Sequence, residues 1–202
     1  PSANGFISFP DDFGKKWKIL FAHPRDFTPV CSSELLELAF RQEEFKNLET
    51  QIVVISVDRL VSHRSWKAEL ESINYKGRGK LIINFPLVVD SSYAISNSYG
   101  MLDSKSNSSK SVRGVFFINP ENEIRAFYFY PNEVGRNTDE ILRTLKALQA
   151  NYTNPNIVVP ANWQPGDDVM IPFLSKEDKH ALKKADSSIY FINWYMIYKK
   201  EN

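Results

Sequence analysis

Short apolar runs alternate with helical periodicity through the first 150 residues. That alternation restricts the chain to layered folds in which helices cover a sheet. The clearest strand candidates are Lys18 to Ala22, Gln51 to Val57, Pro86 to Val89, Val112 to Ile118 and Ile124 to Tyr130. The last two flank Asn119-Pro120-Glu121-Asn122, a turn composition, and read as a hairpin. Helical patterns cover Cys31 to Asn47, Ser62 to Ile73, Tyr93 to Tyr99 and Asp139 to Ala150. In the last of these Thr138 is placed to cap, Asp139 and Glu140 sit where the positive end of the helix dipole favours anions, and Ile141, Leu142, Leu145 and Leu148 form an apolar stripe. The expected fold class is α/β.

After Asn151 the composition turns to Asn, Pro and Thr, so the chain divides into an expected main domain, 1–150, and a smaller C-terminal domain, 151–202. The second should hold a charged helix at Ser175 to Lys184 and one aromatic strand, Ser188 to Tyr198. Lys and Arg number 25 against 24 for Asp and Glu, a formal charge of +1, which gives no bulk field to attract nucleic acid or an anionic membrane. No run of 18 or more apolar residues and no charged-then-apolar leader stands in the sequence, so neither stable membrane insertion nor a secretory signal is expected. Two polar stretches invite and then discourage a ligand reading. Lys76-Gly77-Arg78-Gly79-Lys80 lacks the second half of a phosphate-binding loop and reads as a solvated turn, and Asp167-Asp168 reads as a polar loop.

The single cysteine, Cys31, forbids an intrachain disulfide and a Cys-x-x-Cys dithiol, and the three histidines form no local ligand cluster with it, so no metal is expected. This usage suits a reducing compartment, and a cytoplasmic location is expected. Cys31 stands in the most informative segment. Ile19 to Ala22 is a buried strand pattern, His23 to Phe27 a loop, and Thr28-Pro29 a helix entry in which the hydroxyl can accept an N–H of the first turn and proline loses no bond. Cys31 then falls within the first helical turn, where unpaired N–H groups and the dipole favour a thiolate. Set against this, Cys31 shares a helix side with Leu35, Leu38 and Phe45, the pattern of an inert core cysteine. By default His23 is a structural histidine, Thr28 an ordinary cap, and Arg113 a strand-end arginine on the surface.

The string HPRDFTPVCSSE, with Pro24-x-x-x-Thr28-x-x-Cys31 at its centre, resembles the peroxidatic motif of the peroxiredoxins, and is closest to the single-cysteine (1-Cys, peroxiredoxin 6-like) subfamily. The likeness continues through Val57-Asp58, Arg113 opening VFFINP, Gly135-Arg136-Asn137 and Asn162-Trp163-Gln164-Pro165-Gly166-Asp167, over nearly the whole chain. It implies a thioredoxin-like fold, a central mixed sheet with flanking helices, carrying a small C-terminal extension. It also implies a thiol-dependent peroxidase that reduces hydrogen peroxide and organic hydroperoxides through a sulfenic acid on Cys31. By the same resemblance Arg113 and the Thr28 hydroxyl would hold the peroxide and Cys31, and Pro24 would shield the sulfur from water. Glu34 and Arg136 would fix the Arg113 guanidinium, and His23 would hydrogen-bond the oxidised sulfur. No prosthetic cofactor is implied. With one cysteine, the sulfenic acid needs an external thiol, for which relatives are associated with glutathione or thioredoxin. A homodimer is also implied, to which the aromatic segment Tyr190 to Tyr198 could contribute.

One family property does not carry over. Mammalian members of the subfamily are linked to a phospholipase activity through a serine in a Gly-Asp-Ser-Trp stretch, but this chain reads Gly14-Lys15-Lys16-Trp17 there, and the matching aspartate position holds Glu121. Two other readings of Cys31 stay open from the sequence: a cysteine hydrolase or acyl transferase pairing Cys31 with His23, for which no residue is seen to orient His23, and a peroxide sensor or chaperone on a thioredoxin fold.

Overall fold

A computed structural model describes residues 1–102, 112–172 and 187–201. The helix expected at Ser175 to Lys184 lies outside the described residues. Contacts between residues divide the chain into two units, Pro1–Thr138 and Asp139–Asn202. The composition change after Asn151 therefore falls inside the second unit.

The first unit is built on a five-stranded sheet of β1 (Trp17–Ala22), β2 (Thr50–Ser56), β3 (Leu87–Val89), β4 (Arg113–Ile118) and β5 (Ile124–Tyr130), in the spatial order β3-β2-β1-β4-β5. β1, β2 and β3 run parallel, whereas β4 pairs antiparallel with β1 and β5 antiparallel with β4. Helices α1 (Pro29–Asn47), α2 (Leu60–Ser72) and the short α3 (Ala94–Ser98) connect the parallel strands and follow β3. This is the mixed α/β layer arrangement expected from the sequence, with each strand found within a residue of its expected bounds. β1 is buried along its whole length, as a central strand covered on both faces must be. Leu20 and Ala22 point into one cluster with Val53, Ile55, Val88, Met101, Phe116 and Ile118. Ile19 and Phe21, one residue out of phase, point to the opposite face. β5 is the sheet edge, and its pattern alternates, leaving Ile124, Phe127 and Phe129 about half exposed.

Two of the three basic side chains in the loop Lys76 to Lys80 are met by one carboxylate within the unit. Arg78 Nη1 donates to Glu37 Oε2 at 2.7 Å, and Lys76 Nζ donates to Glu37 Oε1.

All but the first residue of α4 (Thr138–Thr153) belongs to the second unit, and the helix takes in Thr138 itself rather than leaving it outside as a cap. Ala147 and Ala150 of α4 pack with Ile157, Trp163 and Val169 in a small core. A three-stranded antiparallel sheet holds β6 (Val169–Ile171), β7 (Ile189–Asn193) and β8 (Met196–Lys199) in the order β6-β8-β7. The aromatic segment expected as one strand is thus two. Asn193 Oδ1 accepts the Trp194 N–H at 2.7 Å and turns the chain, so Trp194 and Tyr195 occupy an exposed loop tip, while Tyr190 stacks on Tyr198 across the hairpin with ring centroids 5.4 Å apart. Asp167 and Asp168 do not share a site. Asp167 Oδ2 accepts the Gln164 N–H and Asp168 Oδ2 accepts the Tyr190 hydroxyl. Among the described residues no helix is long and apolar enough to cross a membrane.

Candidate active site

α1 begins as its sequence requires. Phe27 takes a left-handed conformation at φ 55, and Thr28 returns to extended backbone at φ −114, ψ 147. Pro29 is then the first helical residue, and the Thr28 carbonyl accepts the Ser32 N–H at 2.9 Å. The expected cap is not made by the Thr28 hydroxyl. Oγ1 donates instead to the Arg25 carbonyl at 2.9 Å, closing the turn that delivers the chain into the helix. The physical reason is local competition. A threonine at such a turn has a backbone acceptor three residues back, and that bond uses its hydrogen while leaving its lone pairs available. A second tie comes from the end of β2, where Asp58 Oδ2 accepts the Asp26 N–H at 2.7 Å and so holds the loop against the sheet.

Cys31 is wholly buried, as are Leu35, Leu38 and Phe45 on the same side of α1. Its sulfur is nonetheless not enclosed by aliphatic groups alone, because Arg113 Nη1 donates to Sγ at 3.2 Å. Arg113 opens β4 and is only 3% exposed, so it is no surface arginine. Its Nε and Nη2 donate to the Asn132 carbonyl at 3.0 and 2.7 Å, and Nη1 also donates to Glu34 Oε2 at 2.9 Å. Glu34, one turn of α1 beyond Cys31, lies between two guanidiniums. Its Oε1 accepts both the backbone N–H and Nε of Arg136 at 2.8 Å, while Oε2 accepts Arg136 Nη2 at 2.8 Å. Arg136 is fixed further by the carbonyls of Ala22 and Gly114, at 2.8 and 2.7 Å, and its guanidinium lies 3.3 Å from the Phe21 ring centroid. Arg136 therefore bears on Arg113 through Glu34 rather than by touching it. Burial pushes the Glu34 carboxyl up, but the hydrogen bonds and charge of Arg136, with the charge of Arg113, outweigh it and hold the group below its ordinary value.

His23 continues directly from β1, its N–H donating to the Ile55 carbonyl at 3.1 Å, and its ring is fully buried beside Trp66, 5.0 Å between centroids. Asp26 Oδ1 lies 3.6 Å from His23 Nε2, so the structure supplies the neighbour for His23 that sequence reading did not find. His63 of α2 completes a buried group, with Nδ1 2.8 Å from Asp26 Oδ2 and Nε2 3.2 Å from the Val88 carbonyl. Ser62 adds a hydroxyl to Asp26 Oδ2 at 2.7 Å. The donor atoms of His23, Asp26 and His63 lie within 4.8 Å of one another. They do not fit a tetrahedral metal centre, because two ligands roughly 2.1 Å from one tetrahedral ion stand about 3.4 Å apart, against 2.8 Å for the Asp26 and His63 pair. Both His63 nitrogens thus face oxygen atoms, Asp26 Oδ2 and the Val88 carbonyl.

Burial pushes the His23 imidazole down to about 3, with Asp26 opposing the shift and His63 and Arg136 adding to it. Between the ordinary histidine value, about 6.5, and that depressed one the unfolded chain binds a proton that the native state does not, so stability falls as pH falls through this window. The expected loss approaches about 1.4 kcal/mol per pH unit within it. Glu34, also depressed, adds a loss of the same sign only at more acid pH. Urea unfolding at about pH 7 and about pH 4.5 checks this: the parent should lose stability and His23→Asn should lose distinctly less. Equal losses in the two proteins would refute it.

The chain matches the AhpC/TSA family over residues 5–127 and the C-terminal domain of 1-Cys peroxiredoxin over residues 147–186. A peroxiredoxin of Methanosarcina mazei is 41% identical over 203 residues, covering 99% of this chain and 92% of the relative. One of Thermotoga maritima is 39% identical over 205 residues, covering 98% and 91%. Among solved structures, yeast mitochondrial 1-Cys peroxiredoxin superimposes with a TM-score of 0.86 at 34% identity, covering 99% of this chain and 93% of that one. A cysteine-to-serine mutant of peroxiredoxin 6 from Arenicola marina gives a TM-score of 0.85 at 29% identity, covering 100% and 93%.

Proposed function

This chain belongs to the AhpC/TSA peroxiredoxin family and is a thiol-dependent peroxidase of the 1-Cys type, and from that premise we propose that Cys31 is its peroxidatic residue and Arg113 its principal electrostatic partner. The observation that carries the reading is the 3.2 Å contact from the Arg113 guanidinium to the chain's one sulfhydryl, inside a network locked by Glu34 and Arg136.

The Cys31 thiolate attacks the terminal oxygen of a hydroperoxide. A sulfur–oxygen bond forms, the O–O bond breaks, Cys31 becomes a sulfenic acid, and the alkoxide or hydroxide that leaves takes a proton to give alcohol or water. Negative charge gathers on the leaving oxygen, so donors already in place lower the barrier without reorganisation. Four of the five guanidinium hydrogens of Arg113 are engaged, by Asn132, Glu34 and Cys31, which leaves one on Nη2 to meet that oxygen. Thr28, its hydrogen given to Arg25, offers lone pairs to the peroxide O–H. Glu34 and Arg136 are positioning residues. Pro24, buried in the same loop, excludes water, and by the family resemblance His23 is read as the partner of the oxidised sulfur. His23 is a poor candidate for the base of a cysteine hydrolase, because an imidazole depressed to about 3 holds protons too weakly to take one from a thiol near neutrality.

With no second cysteine in the chain, turnover needs an external thiol. Its sulfur attacks the sulfenic sulfur, the S–O bond breaks with release of water, and a second thiol reduces the mixed disulfide. In the yeast mitochondrial 1-Cys peroxiredoxin thiol resolution runs via glutathione and thioredoxin systems, and we read glutathione-like or thioredoxin-like thiols as the donor classes for this chain. A homodimer fits β5, an edge strand with half-exposed Ile124, Phe127 and Phe129.

Intact mass measurement after one equivalent of hydrogen peroxide tests the reading. One oxygen should appear on Cys31 and vanish on adding thiol. A chain that consumes peroxide without modification at Cys31 would overturn it.

A further inference from the structure

Nine arginines stand in the sequence. Six of them, Arg41, Arg78, Arg113, Arg125, Arg136 and Arg143, pair with a glutamate. The remaining three are Arg25, Arg59 and Arg64, all exposed, and two of these line one cleft. That cleft is bounded by Pro24 and Arg25 of the loop leading to α1, by Asp58 and Arg59 after β2, and by Ser62 and Tyr93. Asp58 and Ser62 are directed to structural work there: Asp58 Oδ2 accepts from the Asp26 N–H and the Ser56 hydroxyl, and Ser62 donates to Asp26. Among the described residues, what stays available is two exposed guanidiniums lining a concave surface. The same loop gives its Arg25 carbonyl to Thr28, the residue at the threshold of the helix whose first turn holds Cys31.

Two exposed arginines lining one cleft, in a protein whose paired arginines meet glutamates, are suited to an anion that comes and goes. Hydrogen peroxide and simple alkyl hydroperoxides are not that anion, since the –OOH group is neutral near pH 7. The other reactant is the external thiol. We propose that the cleft holding Arg25 and Arg59 docks the carboxylate of a small anionic thiol, and so selects carboxylate-bearing low-molecular-weight thiols as reductant. This rests on the proposed function above, because the thiol's target is the Cys31 sulfenic acid. The docked thiol forms the new S–S bond as the sulfenic S–O bond breaks, and the hydroxide lost takes a proton to become water. Guanidinium is suited to the part, since its planar fork matches a carboxylate and its attraction acts before contact.

The test is single turnover. The protein is first oxidised with one equivalent of hydrogen peroxide, then mixed with N-acetylcysteine or with its uncharged methyl ester, and the loss of sulfenic acid is timed. For each thiol the rate of the parent is divided by that of the Arg25→Gln/Arg59→Gln double variant, which cancels the thiol's own nucleophilicity. The ratio should be roughly threefold to tenfold for N-acetylcysteine and close to one for the ester. The N-acetylcysteine rate of the parent should also fall with added salt. Equal ratios for the two thiols would overturn the docking proposal alone. A parent that takes up no oxygen from peroxide would overturn the peroxidase reading with it.

Discussion

Replacing Cys31 by serine reduces peroxide consumption to the uncatalysed background while the protein stays folded. The loss is total because a serine hydroxyl is not ionised near neutrality and attacks a peroxide oxygen poorly, and because the chain has no other sulfhydryl to take over. Removal of a nucleophile commonly costs on the order of a millionfold in a triad enzyme, where the rest of the site remains intact. The fold should survive, since the hydroxyl occupies slightly less space than the thiol and can still accept from Arg113 Nη1, so no buried donor is orphaned. Stopped-flow peroxide kinetics beside a denaturation curve checks both halves. Activity comparable to the parent in a folded Cys31→Ser variant would remove Cys31 from the reaction.

Much of this arrangement is legible in the sequence, and the boundary of legibility has physical causes. β1 and β2 hold apolar runs, Ile19 to Ala22 and Ile52 to Ile55, because both faces are covered, and such a run leaves little room for another reading. Thr28-Pro29 announces the start of α1 because proline suits a first helical position wherever it occurs. The hydroxyl's choice of the Arg25 carbonyl over a helix N–H could not be read, since threonine satisfies either at similar cost. The aromatic run ending at Tyr198 concealed a hairpin because Trp194 and Tyr195 carry no turn signature, and Asn193 alone marks the reversal.

The site itself divides the same way. Cys31 and Glu34 are three residues apart on one helix, but Glu34 meets its Arg136 partner across 102 positions of sequence. Local pattern contains no such pairing, and only the resemblance to peroxiredoxins brought Arg113 and Arg136 to the cysteine. Asp26 and His63 went without a role because nothing in the spacing of HPRDF and the later SHRSW says that a histidine from α2 meets that aspartate. Nor does charge count disclose which arginines pair with a glutamate, since the sequence totals nearly balance.

Arg113→Ala should lower the rate of Cys31 oxidation by about a hundredfold to a thousandfold, the range seen when a preorganised donor to a developing anion is removed. The variant should fold. Glu34 keeps its bonds to the Arg136 backbone N–H, Nε and Nη2, so its carboxylate stays compensated, and the Asn132 carbonyl that loses two donors is not sealed from water. Glu34→Ala is the contrasting case. It strips two buried guanidiniums of their shared carboxylate and should cost stability of roughly 3–5 kcal/mol, the scale of a broken buried pair. Rate alone does not say how Arg113 works, because a guanidinium beside sulfur could act by keeping the thiolate or by meeting the leaving oxygen. The pH profile separates the two. If Arg113 served only to maintain the thiolate, raising the pH would restore the alanine variant to the parent's rate as its thiol ionised. If the remaining Nη2 hydrogen stabilises the charge of the cleaving O–O bond, the deficit persists on the alkaline plateau where both proteins are fully thiolate. The expected result is a persistent deficit of at least about tenfold, with Arg113→Lys lying between parent and alanine because it restores charge without the fork that spans Cys31, Glu34 and Asn132. Convergence of the alanine and parent plateaus would leave Arg113 as a thiolate partner and move the stabilisation of the leaving oxygen to Thr28 and the backbone of the first helical turn.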